Sequence, residues 1–155
     1  MVLMHLKIYW KMKIKFKKLT PLAQTPYRKF DVDAGFDLYA ISRTITDDYV
    51  EYGTGIAIEI PDGYVGLVFP RSSVTNYDLM LKNCVGVIDA SYRGEIVCRF
   101  FDNKRYISKD RKKYDIGDRV AQIVFVEIPK ITLVEADELS STDRGVNGFG
   151  SSGKK

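Results

Sequence analysis

Apolar and polar positions alternate in short runs along most of the chain. Ile56, Ile58 and Ile60 are separated by Ala57 and Glu59, Phe36 and Leu38 by Asp37, and Ile14 and Phe16 by lysines. A period of two puts successive side chains on opposite faces of a strand. Further β-rich runs are Tyr64 to Phe69, Leu79 to Leu81, Val85 to Ile88, Glu95 to Asp102 and the long run Arg119 to Ile128. Ile131 to Val134 reads as a last short strand, and Glu135 to Leu139 is too short for a firm helix. Pro21, Pro26, Pro61, Pro70 and Pro129 punctuate the runs, and no long helical period appears. Many short strands with Gly and Pro between them predict an all-β sandwich or barrel. Two hairpins are expected. One turns through Pro61-Asp62-Gly63, where Pro presets φ and Gly accepts a positive φ. The other lies within Gly86 to Ile96, with Gly86 and Gly94 at its bends.

Composition narrows this picture. A chain of 155 residues, 45% apolar, is one domain with enough material for a core. The net charge of +4 hides an asymmetry: the first 30 residues carry eight of the 24 Lys and Arg and no acid. The rest has a surplus of acids, so the body is not a basic nucleic-acid surface. Lysines alternating with Ile14 and Phe16 suit the solvent face of an edge strand. The polar stretch Asn103 to Tyr114 reads as a solvated loop or hairpin tip. Cys84 and Cys98 are the two cysteines, both in apolar β-like segments where buried free thiols are common. With His5 as the single histidine and no CxxC pair, zinc sites and Ser–His or Cys–His catalysis are poorly supplied. No apolar run is long enough to cross a membrane, and Met1 to Lys11 lacks the features of a signal peptide. A cytoplasmic protein is the expectation.

A few residues do not fit a purely structural reading. Asp89 ends a β-branched run, where an unpaired buried charge is costly, so it caps a turn or does chemistry. Tyr92 sets a flat ring three residues on. Pro70-Arg71-Ser72-Ser73 ends another run and reads as the start of a short helix capped by Ser72 or Ser73. Such a start, with an arginine and two hydroxyls, can also bind an anion. Gln122 is a polar residue inside an apolar run, as a satisfied core amide would be. From Ser140 onward Gly145, Gly148, Gly150 and Gly153 make a mobile backbone. A bland tail is the plain reading. Arg144 and Phe149 also suit a clamp that folds on a ligand, Arg144 forking onto phosphates and Phe149 stacking on a base.

Five stretches together carry a resemblance: Asp33 to Ala40 (DAGFDLYA), Pro70 to Ser73 (PRSS), Gly86 to Ile96 (GVIDASYRGEI), Gly117 to Phe125 (GDRVAQIVF) and Arg144 to Gly153 (RGVNGFGSSG). In order and content they resemble the five motifs of the trimeric dUTPases, over about residues 12 to 153. The resemblance implies a jelly-roll-like barrel (β-clip) in a homotrimer, with active sites at subunit interfaces. Residues 12–139 would form the barrel, 140–155 a flexible arm, and 1–11 an uncertain extension. It implies hydrolysis of dUTP to dUMP and pyrophosphate, which keeps uracil out of DNA and supplies dUMP for dTMP synthesis. Asp89 would activate a water. Arg71, Ser72, Ser73, Gln122 and Arg144 would grip the triphosphate, with Mg²⁺ carried by the phosphates and no direct protein ligand. The strand Gly86, Val87 and Ile88, helped by Asn83, would hold the uracil edge by backbone groups. Tyr92 would pack on the deoxyribose and exclude a 2′-hydroxyl. Phe149, Gly150 and Ser151 would close over the nucleotide, and Asp37 would support the site from its edge. Asn147 stands where the family usually has Gly; Asn tolerates the left-handed region better than most residues.

Two other readings remain at this stage. A dCTP deaminase shares the fold, although the Asp89 and Tyr92 spacing and the full glycine-rich arm favour dUTPase. A non-enzymatic β module would use the basic head and the Asn103 to Tyr114 stretch to bind nucleic acid or protein, with salt-dependent affinity.

Overall fold

The computed structural model describes residues 12–102 and 112–148. The expectations for Met1 to Lys11, for most of Asn103 to Tyr114 and for Phe149, Gly150 and Ser151 lie outside them. Ten strands are formed: β1 (Lys15–Lys18), β2 (Phe36–Tyr39), β3 (Ser42–Ile45), β4 (Val50–Gly53), β5 (Ile56–Glu59), β6 (Tyr64–Pro70), β7 (Leu79–Leu81), β8 (Gly86–Ile88), β9 (Val97–Asp102) and β10 (Arg119–Glu127). A five-residue 3₁₀ helix, Ser72–Asn76, follows β6. Two antiparallel four-stranded sheets, in the orders β2-β10-β6-β8 and β3-β4-β9-β7, enclose the core. β1 and β5 form a separate pair.

From β6 onward consecutive strands lie in opposite four-stranded sheets, as in a jelly roll. This overturns both expected hairpins. The turn at Pro61 is real: Tyr64 N–H donates to Pro61 C=O at 3.1 Å and Gly63 has φ +80°. However, β5 pairs with β1, while β6 pairs with β10 and β8. Likewise β8 pairs with β6, but β9 pairs with β4 and β7. Turn chemistry fixes where the chain bends, and sheet packing decides which strand it then joins. A sequence-adjacent pair does form at β3 and β4. It turns at Thr46, whose Oγ1 accepts from the Asp48 and Tyr49 N–H groups. The turn residues Thr46, Asp47 and Asp48, followed by the alternation of Val50, Glu51 and Tyr52, carry that signal.

The core draws from both sheets. Leu38, Val68, Ala121 and Ile123 face Val50, Tyr52, Leu81, Cys98 and Phe100 in one buried cluster. Tyr52 meets Phe100 and Tyr114 edge-on, with ring centroids 5.8 and 5.9 Å apart. β1 is an exposed edge strand with a Lys15–Glu59 ion pair, as its alternating lysines predict. Cys98 is buried, but Cys84 is exposed and turns the chain with φ +59° between β7 and β8. The burial expected of Cys84 is therefore wrong: a bend, not a strand, occupies its position. Ile131 to Val134 also pairs with nothing; the chain beyond β10 runs exposed and without strand to residue 148. No described helix is long and apolar enough to cross a membrane.

Candidate active site

The sequence-predicted residues separate into two groups on β6 and its neighbours. The first gathers at the C-terminal end of β6. Arg71 Nε donates to Asp37 Oδ1 at 2.7 Å, and Arg119 Nη1 donates to Asp37 Oδ2 at 3.0 Å. Asp37 is brought there because β2 lies beside β10, with Asp37 opposite Gln122. Its side chain is only 17% exposed, so the two guanidinium groups supply the partners that its charge requires. Two cations on one carboxylate leave a net positive charge. Arg71 Nη1 reaches Ser73 Oγ at 3.4 Å and the Arg119 carbonyl at 3.5 Å, both long.

Gln122 belongs to the same end. It pairs in register with Phe69, and its Nε2 donates to the Pro70 carbonyl at 3.3 Å. The amide packs directly on Gly35, where an added Cβ would sit 2.5 Å from Oε1. That close approach explains a glycine in Asp33 to Ala40 without any unusual φ. The helix expected after Pro70 is a 3₁₀ turn, and Arg71 at its cap makes no side-chain capping bond. The positive charge here therefore comes from the Arg71 and Arg119 side chains rather than from a helix end. Ser72 is exposed beside them. Arg119 was not singled out from the sequence. Its signal is a charged residue opening the longest strand, within the quoted Gly117 to Phe125 stretch.

The second group surrounds β8. This strand is the outer member of its sheet, bonded to β6 alone, so one backbone edge of Gly86, Val87 and Ile88 is open. Val87 is 62% exposed. The Asn83 amide stands over Gly86, with Nδ2 3.5 Å from where a Cβ would be. Asp89 follows β8 in an exposed turn closed by Tyr92 N–H on the Asp89 carbonyl at 3.0 Å. The Tyr92 hydroxyl donates to the Glu95 carbonyl at 2.9 Å, which lays the ring over Gly94. Glu95 in turn accepts the Gly55 N–H at 2.7 Å. The turn is thus tied into the body.

The two groups do not meet within one chain. Ile88 stands opposite Gly66, and Arg71 lies five residues further along β6. At ~3.4 Å per residue this places Ile88 and Arg71 roughly 17 Å apart along the strand direction, and Asp89 lies beyond Ile88. Arg144 joins neither group. Its Nε donates locally to the Asn147 carbonyl at 2.9 Å, in an exposed turn where Gly145 has φ +52°. Asn147 does not use the left-handed region here. A groove of about 970 Å³ bordered by Phe16, Phe36, Ile58 and Phe125 includes none of these residues.

The fold is all-β, with two guanidinium groups at one end of β6 and an open strand edge on β8. A family model described as dUTPase matches residues 22–153. The deoxyuridine 5'-triphosphate nucleotidohydrolase of Tropheryma whipplei (strain Twist) is 39% identical over 133 residues, covering 84% of this chain and 89% of that protein. That of Corynebacterium diphtheriae is 41% identical over 145 residues, covering 90% and 92%. A solved structure, the Staphylococcus bacteriophage 80alpha dUTPase G164S mutant with dUpNHpp, superposes with a TM-score of 0.77 at 28% identity, covering 91% of this chain and 98% of that one. The chain belongs to the dUTPase family.

Proposed function

We propose that this protein hydrolyses dUTP to dUMP and pyrophosphate. The observation that carries the reading is β8: an open backbone edge that ends in an exposed carboxylate, Asp89. Uracil offers one N–H between two carbonyls, and a strand edge offers C=O and N–H groups at fixed spacing. Gly86, Val87 and Ile88 read that edge, with the Asn83 amide beside them. Cytosine would set like groups against like, which costs more than the bond lost. The Tyr92 ring packs on the deoxyribose and leaves no space for a 2′-hydroxyl.

Asp89 orients a water and accepts its proton as the oxygen attacks the α-phosphorus in line. The bond from the α-phosphorus to the bridging oxygen breaks, and its electron pair leaves on pyrophosphate. A carboxylate is a weak base at neutral pH, so most of the acceleration comes from positioning and from charge neutralisation. Arg71, Ser72, Ser73 and Gln122 supply donors to the phosphates, with Asp37 fixing Arg71. Arg144, Phe149, Gly150 and Ser151 close over the nucleotide. Mg²⁺ is the implied metal. Asp37 has both oxygens engaged, and no group of three or more metal-ligating side chains occurs among the described residues. The ion would arrive on the phosphate oxygens and offset their charge there.

A separation of roughly 17 Å is too long for one α-phosphorus to bridge, so each site takes Asp89 and Arg71 from different subunits of a homotrimer. The exposed tail supports assembly. Leu133 is 94% and Val134 82% exposed in the single chain. Covering such a side chain is worth about 1.5–3 kcal/mol.

The test is incubation with each deoxynucleoside triphosphate and Mg²⁺, reading pyrophosphate. Only dUTP is expected to give it, and removal of the residues after Thr142 is expected to abolish most turnover. Ammonia released from dCTP would replace this reading with deamination.

A further inference from the structure

Among the described residues, one buried side-chain polar atom has no hydrogen-bond partner: the hydroxyl of Tyr114. The residue is 1% exposed. Its ring is packed on Tyr77, with centroids 4.0 Å apart, and by Tyr52 and Phe100. Its backbone is held as well, because its carbonyl accepts from Arg43 Nη1 at 3.0 Å and from the Tyr52 hydroxyl at 3.2 Å. The side chain is therefore rigid, and its hydroxyl lacks a partner at full hydrogen-bond geometry. The groups near enough to act on it are Ser73, Tyr77, Arg71 and Asp118, of which Ser73 alone stands within side-chain hydrogen-bonding reach. Burial raises the phenol's pKa, while the nearby Ser73 hydroxyl and the Arg71 charge act to lower it. Burial dominates, so the group stays protonated and remains a donor.

We propose that Tyr114 is a positioning residue that, through Ser73, aims a hydrogen bond at the triphosphate. The argument is one of polarity. A serine hydroxyl has one proton to give and two lone pairs to receive. Arg71 can only donate, and it already addresses Ser73 Oγ at 3.4 Å. A donor from Tyr114 occupies the second lone pair. Ser73 then has a single option for its proton, an acceptor outside the protein, and a phosphate oxygen is one. The arrangement specifies an anion at Ser73 and rejects a ligand that would need Ser73 to accept. It also gives the orphaned hydroxyl its use: the bond closes when the ligand draws Ser73 into place.

This inference rests on the phosphate-binding role given to Ser73 above. Tyr114→Phe keeps the ring and removes the oxygen. The variant is expected to lose about tenfold in kcat/KM for dUTP, the size of one net hydrogen bond. Its melting temperature should hold or rise, because an unsatisfied buried group has gone. A structural role would show the reverse. In a Ser73→Ala background the same change should cost nothing further. Wild-type kcat/KM in Tyr114→Phe, or an undiminished loss in the double variant, overturns the proposal. Calorimetric affinity for inorganic pyrophosphate, measured on the same four proteins, reads the same coupling without turnover. A protein that shows the coupling but does not hydrolyse dUTP loses the proposed function and keeps this inference; one that hydrolyses dUTP without the coupling does the opposite.

Discussion

Asp37 and Asp89 are both carboxylates beside strands, and their surroundings give them different work. Asp37 is mostly covered, with one guanidinium group on each oxygen, so it holds Arg71 in place. Asp89 is exposed at the end of an open strand edge, where a water and a substrate can reach it. Asp89→Asn keeps the shape and removes the proposed base. It is expected to abolish dUTP turnover while leaving nucleotide binding by calorimetry near wild type; turnover within a few-fold of wild type would refute the base assignment. The cysteines divide in the same way. Burial pushes the Cys98 thiol up to about 12, whereas Cys84 sits on an exposed bend. Titration of the native protein with a thiol reagent at pH 8 is expected to modify one thiol quickly. The second should react only on unfolding.

At the scale of elements, the connections matter more than the strands. The chain changes sheet at bends that take left-handed backbone: Gly55 between β4 and β5 at φ +64°, Gly63 between β5 and β6 at +80°, and Cys84 between β7 and β8 at +59°. Gly63 has open space around it, but Gly55 does not. A Cβ at Gly55 would meet Ile41 Cδ1 at 2.5 Å and Ala23 and Thr20 at 2.9 Å. Gly55→Ala thus adds left-handed strain of about 1–2 kcal/mol to overpacking of about 1–3 kcal/mol. Urea denaturation should show a loss of about 2–5 kcal/mol, against less than about 2 kcal/mol for Gly63→Ala, where only the strain applies.

For the whole molecule, the separation of Asp89 from Arg71 makes a prediction that a self-contained site would not. Asp89→Asn and Arg71→Ala are each expected to be inactive as pure proteins. Unfolded together and refolded as mixed trimers, they should regain activity, because every mixed trimer contains one site with Asp89 and Arg71 both intact. Mixing without subunit exchange should give none. Activity absent from verified mixed trimers would place both residues in the same subunit's site and remove the argument for a composite one.

Neighbouring residues alone specify the all-β class, the long strand at Arg119, the turns at Pro61 and Asp89, and the residues with chemistry to spare. Those features are local. Period-two alternation, a proline's fixed φ and a charge at the end of an apolar run are written in neighbouring residues. The five stretches also carried the family, because residue types at set spacings survive in the chain whatever it packs against. That the Pro61 and Asp89 turns pass between sheets, that Asp37 binds Arg71 and Arg119, and that Tyr114 packs on Tyr77 is settled by three-dimensional packing. Asp37 and Arg119 are 82 residues apart in the chain. A contact between residues so distant depends on which strands become neighbours, and that is settled by packing the whole core rather than by any one stretch.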